Sequence, residues 1–449
     1  MAATPHSTTD RLYFRDSHRL EFDAAIVAVR ESAGRCAVVL DQSAFYPTGG
    51  GQPHDTGTLV AANEKWFVEE VTADDAADET NGGEVLHFLR SAAGNQSAAP
   101  PAVGTTLHGT VDAARRRDHL QQHSGQHVLS QAFVRAAGLE TKSFHLGSES
   151  STIDLEVRGA GITDEIVARA VALANDVVFS DRELRIHVVT QDELARFPVR
   201  KQTFHGERIR LIEVADFDVS TCGGTHAHRS GEIGLIAVVG IEKQKGLQRV
   251  EFVCGGRALR ALDHDHRLIQ TLARDLSTAP DQIAPQVQKL VAQNSAQRKR
   301  IDQLFELAAA QQALSLIAAA PAEAALHGAR LVVQVVRDLS FGEAQTLAKQ
   351  LIANEPTKGE PIVALLGVAE AGAPKLLFVR SGHPALANLA MGALVKQTAE
   401  RFGCRGGGSA TSAQAGIGDA AQLEGALAAA AELARAQLTS VLPSGLPST

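Results

Sequence analysis

Two pairs of potential metal ligands stand far apart in the sequence. His123 and His127 are four positions apart in "HSGQH", and Cys222 stands four positions before His226 in "TCGGTH". On a helix, residues four apart project from one face, so both imidazoles of the first pair can bind one ion. Three imidazoles and a thiolate suit zinc, whereas magnesium and calcium prefer oxygen ligands. The sequence therefore predicts a zinc site formed by His123, His127, Cys222 and His226.

The spacing does not determine the type of site. Four protein ligands are typical of a structural zinc, whereas a catalytic zinc keeps one position for water. A protease of the HExxH class needs a glutamate beside the first histidine, and here that position is Ser124. Each pair alone is also compatible with an ordinary helix face or a glycine turn. The prediction rests on the combination of the two pairs in a chain with four cysteines.

Three glycines that follow a threonine mark a second candidate site. They lie in "FYPTGGGQPHDTG", where Gly49 and Gly50 come directly after Thr48. Glycine permits positive φ and a close approach of the backbone to a ligand, and Thr48 adds a hydroxyl. A tight β turn explains the same stretch equally well. It is not a phosphate-binding P-loop, because no Lys-Ser/Thr pair follows the glycines.

A short basic segment is the candidate for RNA contact. "RFPVRKQTFHGERIR" carries five basic side chains and one acidic side chain. From it we select Arg200, Lys201, Arg208 and Arg210 as RNA-binding candidates. The net charge of -8 argues against a general nucleic-acid coat but permits a local patch of this kind.

Length and composition indicate a globular protein of several domains. A chain of 449 residues with 44% hydrophobic and 21% charged residues can bury substantial cores. Its apolar runs are shorter than a membrane span and its first residues do not resemble a secretion signal. We therefore expect a cytoplasmic protein without membrane contact. Four cysteines in so long a chain do not form a disulfide framework.

The secondary structure predicted for the regions that carry these residues changes along the chain from β-rich to mixed α and β. This change predicts an α+β multidomain protein. Residues 10–110 alternate β-rich stretches with turn residues, as in a small β-barrel-like domain. Residues 111–256 combine strands with a long helix that carries His123 and His127 and ends at Gly138. This second region is the expected α+β zinc-binding domain.

The remaining half of the chain is predicted to contain a connector and a further domain. Residues 257–318 have helical periodicity with a break at Pro280, and the apolar residues after the break could pack against a partner helix. Residues 325–440 alternate buried strands and helices, as in an α/β domain. Either region could form a homodimer contact.

Several motifs together resemble those of a known family. "FYPTGGGQPHDTG", "QQHSGQHVLSQAF", "SFHLGSESSTIDLEV" and "TCGGTHAHRSGEIGL" resemble, in this order, the motifs of free-standing alanyl-tRNA editing proteins, which are similar to the editing region of alanyl-tRNA synthetase. "CRGGGSATSAQAG" resembles the glycine-rich signature of the DHH-associated C-terminal domain that the synthetase shares with the long form of these proteins. The resemblance covers nearly the whole chain.

The resemblance implies a trans-editing hydrolase that removes serine from mischarged tRNA(Ala), with glycine as a further candidate. It implies that the four ligands bind Zn²⁺, that Thr48 and the following glycines contact the aminoacyl group, and that the C-terminal domain assists tRNA binding or dimerisation. Such editing is needed because an alanine pocket rejects near-isosteric amino acids by only about 10- to 200-fold. Activation of alanine is not expected, because the β domain starts near residue 10 of this sequence.

Two other functions stay open at this point. The four ligands also fit an RNA-binding protein with a structural zinc, and a deacylase of seryl-tRNA(Thr) has the same ligand pattern; the three glycines favour the alanyl system. The sequence does not identify a general base, although Asp118, Gln122 and His145 are polar candidates. The C-terminal glycine-rich loop, beside Arg405, could bind a phosphate or form a packing turn.

Overall fold

The computed structural model describes residues 8–32, 35–62, 64–73, 83–92, 101–157, 161–200, 208–244, 246–353, 359–370 and 372–439. The chain divides into two compact units, Met1–Arg274 and Asp275–Thr449. The division falls inside the predicted helical connector. None of the described helices combines the length with the apolar character needed to cross a membrane.

The first unit begins with a closed six-stranded barrel. The strands of this region are β1 (Asp10–Arg11), β2 (Glu21–Ser32), β3 (Arg35–Leu40), β4 (Gln42–Ser43), β5 (Gly57–Ala61), β6 (Glu64–Ala73), β7 (Val85–Ser91) and β8 (Thr106–Val111). The barrel runs in the order β2-β3-β7-β6-β5-β8 with antiparallel neighbours, while β1 and β4 form a parallel pair. Phe22, Phe45, Leu59 and Trp66 lie in its core. The predicted β-barrel is confirmed.

A long helix, α1 (Ala113–Ala137), follows the barrel directly. The Asp112 side chain accepts hydrogen bonds from the N–H groups of Ala114 and Arg115, which satisfies the free donors of the first turn. Gly138 adopts a left-handed conformation with φ of 65° and ends the helix, as the sequence predicted.

Two antiparallel sheets and three further helices complete the first unit. They are built from β9 (Thr141–Leu146), β10 (Ser151–Glu156), α2 (Asp164–Phe179), β11 (Leu184–Val189), α3 (Gln191–Leu194), β12 (Ile209–Val214), β13 (Asp218–Thr221), β14 (Ile236–Gln244), β15 (Leu247–Cys254) and α4 (Gly256–Asp275). The sheets run in the orders β14-β15-β10-β9 and β11-β12-β13. Val128 and Phe133 of α1 share one apolar core with Ile153, Val250 and Phe252 of the larger sheet. This packing fixes the helix that carries the first histidine pair.

The second unit is a six-stranded mixed sheet between helices. Its elements are α5 (Ile283–Ala319), β16 (Ala322–Glu323), β17 (Ala329–Val336), α6 (Phe341–Ala353), β18 (Ile362–Val368), β19 (Lys375–Arg380), α7 (Met391–Arg401), β20 (Gly406–Gly408), β21 (Ser412–Gly416) and α8 (Leu423–Thr439). The sheet order is β16-β17-β18-β19-β21-β20, and only β17 and β18 are parallel among its described pairs. One core joins the sheet to α5 and α6, and another joins it to α7 and α8.

Two sequence features of this half are located by the structure. The helical break predicted at Pro280 is present, because a short 3-10 helix, Pro280–Gln282, precedes α5. The glycine-rich stretch forms the β20–β21 hairpin at one edge of the sheet. Gly407 and Gly408 line a cavity of about 430 Å³ together with Lys349 of α6.

Candidate metal centre

The two predicted ligand pairs meet inside the first unit. His123, His127, Cys222 and His226 are all buried, and their ligand atoms lie within 4.8 Å of one another. The Cys222 Sγ lies 3.2 Å from the Nε2 atoms of both His123 and His226. The rings of His123 and His127 stack with their centroids 5.4 Å apart, as expected for one face of a helix. The fold thus assembles one compact cluster from distant segments.

A tight loop after β13 places the second pair. Cys222 comes directly after this strand, and the Gly224 N–H lies 3.4 Å from the Cys222 Sγ. The guanidinium of Arg210 lies under the loop, where its Nη1 donates to the carbonyl oxygens of Cys222 at 2.7 Å and of Gly224 at 2.9 Å. The loop is therefore fixed by backbone contacts from β12, and it returns His226 to the cluster.

The second nitrogen of each imidazole is engaged by a neighbouring side chain. The Nδ1 partners are Gln52 for His123, at 2.7 Å, Ser220 for His127, at 2.8 Å, and Ser124 for His226, at 3.4 Å. Such contacts fix the ring orientation and tautomer of a metal-binding histidine. Because the Gln52 Oε1 can only accept, the His123 Nδ1 carries the proton and its Nε2 offers a lone pair.

The electrostatics of the cluster favour the ligand forms of Cys222 and His226, whereas His127 must lose a proton before it can bind metal. Burial opposes ionisation of the Cys222 thiol, but the imidazoles of His123, His226 and His127 outweigh it and hold its pKa well below the usual range. Burial also lowers the pKa of His226 to about 3, so its ring is neutral. For His127, burial is outweighed by Cys222 and Asp218, which raise its pKa to about 9. A thiolate and neutral imidazoles are the forms that bind metal, and metal binding displaces remaining protons.

The residues present fit a metal ion. The Nε2 of His127 is buried and has no hydrogen-bond partner among the residues that the structure describes. A buried nitrogen without a partner is costly unless something binds it. One sulfur and three nitrogen donors match the tetrahedral coordination of zinc. Asp218 is not one of the four ligands, and its Oδ2 lies 3.8 Å from the Nδ1 of His127.

We expect Gly224→Ala to lower the zinc content of the protein. A Cβ at this position would lie closer than 3.0 Å to the Cε1 and Nδ1 atoms of His123, so the ring must move away from Gln52 and from the cluster. Gly223→Ala is the matched control, because a Cβ there meets nothing within 4 Å. Elemental analysis of both variants would contradict this account if Gly224→Ala retained as much zinc as Gly223→Ala.

A cavity of about 380 Å³ opens beside the cluster. It is lined by His127 and Cys222, by Thr48, Gly49 and Gly50, and by the basic side chains of Arg11, Lys142 and Arg200. The glycine stretch of the barrel and two of the four metal ligands, His127 and Cys222, therefore face the same space. Residue spacing alone offered no way to link these two features; only the family resemblance suggested that they act on the same substrate.

The glycine stretch forms a tight turn that also supports the cluster. Gly49 and Gln52 exchange backbone hydrogen bonds of 3.1 and 2.9 Å. Gly50 and Gly51 have φ of 52° and 80°, as in the primed turns of hairpins. Gln52 then bridges to the second ligand loop, because its Nε2 donates to the Oγ1 of Thr225 at 2.9 Å while its Oε1 contacts His123. The sequence did not identify Gln52 as a site residue, although it directly follows the glycines.

The predicted RNA-binding residues have different environments. Arg210 is buried, and its contacts with the Cys222 loop correct the expectation that it binds RNA at the surface. Arg200 lines the cavity and forms an ion pair with Asp218 at 2.8 Å. Arg208 is exposed, and Lys201 lies outside the described residues.

None of the three candidate bases lines the cavity within the described part of the chain. Asp118 forms an ion pair with Arg257 at 2.6 Å. Gln122 exchanges hydrogen bonds with the backbone of Cys254 at 3.0 and 2.9 Å. Asp118 and Gln122 therefore join α1 to the end of β15 and the start of α4. His145 is exposed on β9.

Two family models match the first unit. The model of the threonyl and alanyl tRNA synthetase second additional domain matches residues 209–251, which include Cys222 and His226. The model of the class II (A) tRNA synthetases matches residues 13–115, which include the barrel. Both matches place the chain among proteins with domains of the aminoacyl-tRNA synthetases.

The similar proteins narrow this class to the alanine system. The chain is 33% identical over 308 residues to an alanine–tRNA ligase of Pyrococcus furiosus, covering 66% of this chain and 31% of the ligase. It is 31% identical over 284 residues to the alanyl-tRNA editing protein AlaX-L of Pyrococcus horikoshii, covering 63% of this chain and 66% of that protein. An alanine–tRNA ligase of Natronomonas pharaonis is 30% identical over 446 residues, 96% of this chain and 44% of the ligase.

These matches confirm that the chain is related to alanyl-tRNA editing proteins and to alanyl-tRNA synthetases. It spans between about a third and about two thirds of the length of these relatives.

Proposed function

We propose that this protein is an aminoacyl-tRNA deacylase that hydrolyses the ester of mischarged tRNA(Ala), with seryl-tRNA(Ala) as its principal substrate. The observation that supports this most is the shared cavity, which brings a cluster of four metal ligands next to the Thr48 hydroxyl and the glycine turn. The relationship to an alanyl-tRNA editing protein supports the same conclusion.

In this proposal His123, His127, Cys222 and His226 hold zinc. When bound there, zinc would act as a Lewis acid toward the ester carbonyl or would orient the 3′ end of the tRNA. The chain's own residues prepare the site: Gln52, Ser220 and Ser124 orient the imidazoles, and the loop fixed by Arg210 presents Cys222 and Gly224 at the cavity wall.

The cavity suits the aminoacylated end of an RNA. Its volume of about 380 Å³ lies within the range of small-molecule sites. Arg11, Lys142 and Arg200 offer cationic donors on its wall, although Lys142 pairs with Glu156 and Arg200 with Asp218, and such donors are the usual phosphate contacts. Arg208, at the surface, stays a candidate for a more distant phosphate. The basic side chains position the substrate, whereas the choice of amino acid requires contacts inside the cavity.

Thr48 is the residue to which we assign this choice. Its side chain is exposed to the cavity and can form a hydrogen bond with the hydroxyl of serine. Alanine has no such group and lacks this hydrogen bond, which contributes about 0.5 to 1.5 kcal/mol. A preference for serine over alanine is what an editing site requires, because it must hydrolyse the wrong product and spare the right one.

We expect Thr48→Val to reduce the preference for seryl-tRNA(Ala) over alanyl-tRNA(Ala) by about tenfold, because the substitution keeps the shape and removes one hydrogen bond. Deacylation rates with the two tRNAs measure this ratio. Thr58→Val makes the same change on β5 of the barrel and should leave the ratio as in the wild type. An unchanged ratio in Thr48→Val would remove Thr48 from the recognition of serine.

A second function is favoured by one observation. Four protein side chains already complete a tetrahedral set, which is the arrangement of a structural zinc. An RNA-binding protein with such a zinc would bind mischarged tRNA without releasing the amino acid.

A deacylase of seryl-tRNA(Thr) is a third candidate function. It would share the domain whose family model covers both threonyl and alanyl synthetases.

We assign the second unit a role in tRNA binding or dimerisation, as a DHH-associated domain would have. Apolar side chains of α5 are exposed along the helix: Val287, Leu290, Val291, Ile301 and Leu304. Such a face is typical of a helix that packs against a partner. Lys349 and the glycines of β20 line the separate cavity of this unit and support the alternative of an RNA contact.

A further inference from the structure

The hydroxyl of Thr48 is held by a histidine that lies behind it. The Oγ1 of Thr48 is 3.0 Å from the Nδ1 of His54, and it accepts a hydrogen bond of 3.2 Å from the His54 backbone N–H. His54 is half-buried, and it is not one of the described residues that line the cavity. Its link to the cavity is through the side chain of Thr48.

The contacts of His54 determine which of its nitrogens carries the proton. Its Nε2 lies 3.0 Å from the carbonyl oxygen of Glu69, which can only accept, so Nε2 is protonated. The Nδ1 of the neutral ring is then an acceptor. Burial, followed by the charge of Arg115, lowers the pKa of His54, which keeps the ring neutral at pH 7. Arg115 also donates to the His54 carbonyl at 2.8 Å and fixes its backbone.

We propose that His54 is a positioning residue that turns Thr48 into a hydrogen-bond acceptor for the substrate. The Thr48 O–H donates to the His54 Nδ1, and one lone pair of the same oxygen accepts from the His54 N–H. One lone pair is left for a ligand. The site then recognises small amino acids whose side chain donates a hydrogen bond, as the serine hydroxyl does.

This inference rests on the proposed function and makes it more specific. Glycine and alanine both lack a donor on the side chain, so neither gains from the Thr48–His54 pair. Serine is therefore the amino acid that the pair selects, and hydrolysis of glycyl-tRNA(Ala) should not depend on it. Glycyl-tRNA(Ala) is thus an internal reference for the effect of His54.

The test compares kcat/KM for seryl-tRNA(Ala) and glycyl-tRNA(Ala) in the zinc-loaded full chain. His54→Ala should lower the serine/glycine ratio about three- to tenfold, as expected for a misdirected hydrogen bond. His54→Asn, which can place an amide oxygen near the position of Nδ1, should retain most of the ratio. The double variant Thr48→Val/His54→Ala should be no worse than Thr48→Val, because the pair acts as one unit.

Three results would overturn the inference: an unchanged ratio in His54→Ala, an equal loss in His54→Asn, or independent losses that multiply in the double variant. Zinc content and circular dichroism of each variant serve as controls for folding. A general loss of structure lowers both rates together, whereas the inference requires a change in their ratio.

A binding experiment separates this inference from the proposed function. Amide-linked seryl- and alanyl-adenosine resist hydrolysis by the site, and the wild type should bind the seryl compound more tightly, with a preference that is about three- to tenfold smaller in His54→Ala. If this preference is found but seryl-tRNA(Ala) is not hydrolysed, the proposed function fails and the inference stands. If seryl-tRNA(Ala) is hydrolysed but no preference for the seryl compound is found, the inference fails alone.

Discussion

Cys222→Ala is expected to release the bound zinc and to abolish deacylation. The thiolate is the only anionic ligand of the cluster, and its sulfur lies 3.2 Å from two of the imidazole nitrogens. Loss of a residue that merely orients a ligand typically costs about 10- to 100-fold in metal affinity or activity. Loss of the ligand itself should exceed that range, because three neutral imidazoles remain without the charge that balances the ion.

The zinc stoichiometry of the purified variant is the measurement, supported by its deacylation rate. Cys36→Ala is a suitable control, since Cys36 is an exposed cysteine on the barrel strand β3. Circular dichroism distinguishes loss of metal from loss of fold. Zinc at the wild-type level in Cys222→Ala would show that the cluster is not the metal site.

Arg116→Met is expected to destabilise the barrel strongly. The side chains of Arg116 and Asp55 are 1% and 0% exposed, and the Arg116 Nη2 lies 2.5 Å from the Asp55 Oδ2. The same guanidinium donates to the carbonyl oxygens of Ser17 and Ala44. Removing it leaves a carboxylate and two carbonyls buried without this partner. Breaking a buried ion pair of this kind costs about 3 to 5 kcal/mol.

The single tryptophan of the chain offers a probe for this effect. Trp66 is buried in the barrel core, so its fluorescence follows the unfolding of the barrel in urea. Arg15→Met is the control, because the Arg15–Asp10 pair is exposed and such pairs contribute little. Equal urea midpoints for the two variants would contradict the role given to the buried pair. The additional change Asp55→Asn should recover part of the lost stability, since no buried charge then remains unpaired.

Local patterns in the sequence were sufficient to predict the main elements. The helix α1 was predicted by its periodicity and by Gly138, and the barrel by short β-rich stretches between turn residues. Both depend on backbone preferences that act over a few residues. The cluster of four ligands could be proposed because both pairs occur together in a chain with only four cysteines.

The supporting contacts could not be predicted, because they depend on distant segments. Gln52 meets His123, which is 71 positions away, and Arg116 meets Asp55, which is 61 positions away. Arg210 was expected to bind RNA because of its basic neighbours. Its position on β12, next to the Cys222 loop, buries it instead. Periodicity alone does not show which face of a short strand is covered by a neighbouring loop.

Release of serine from charged tRNA tests the central claim most directly. Zinc-loaded protein is incubated with seryl-tRNA(Ala), alanyl-tRNA(Ala) and seryl-tRNA(Thr), and the free amino acid is measured over time against buffer alone. Our account predicts rapid hydrolysis of seryl-tRNA(Ala), with the other two largely spared. Binding of seryl-tRNA(Ala) without release of serine would contradict it and would favour an RNA-binding protein with a structural zinc. Preferential hydrolysis of seryl-tRNA(Thr) would contradict the assignment to tRNA(Ala).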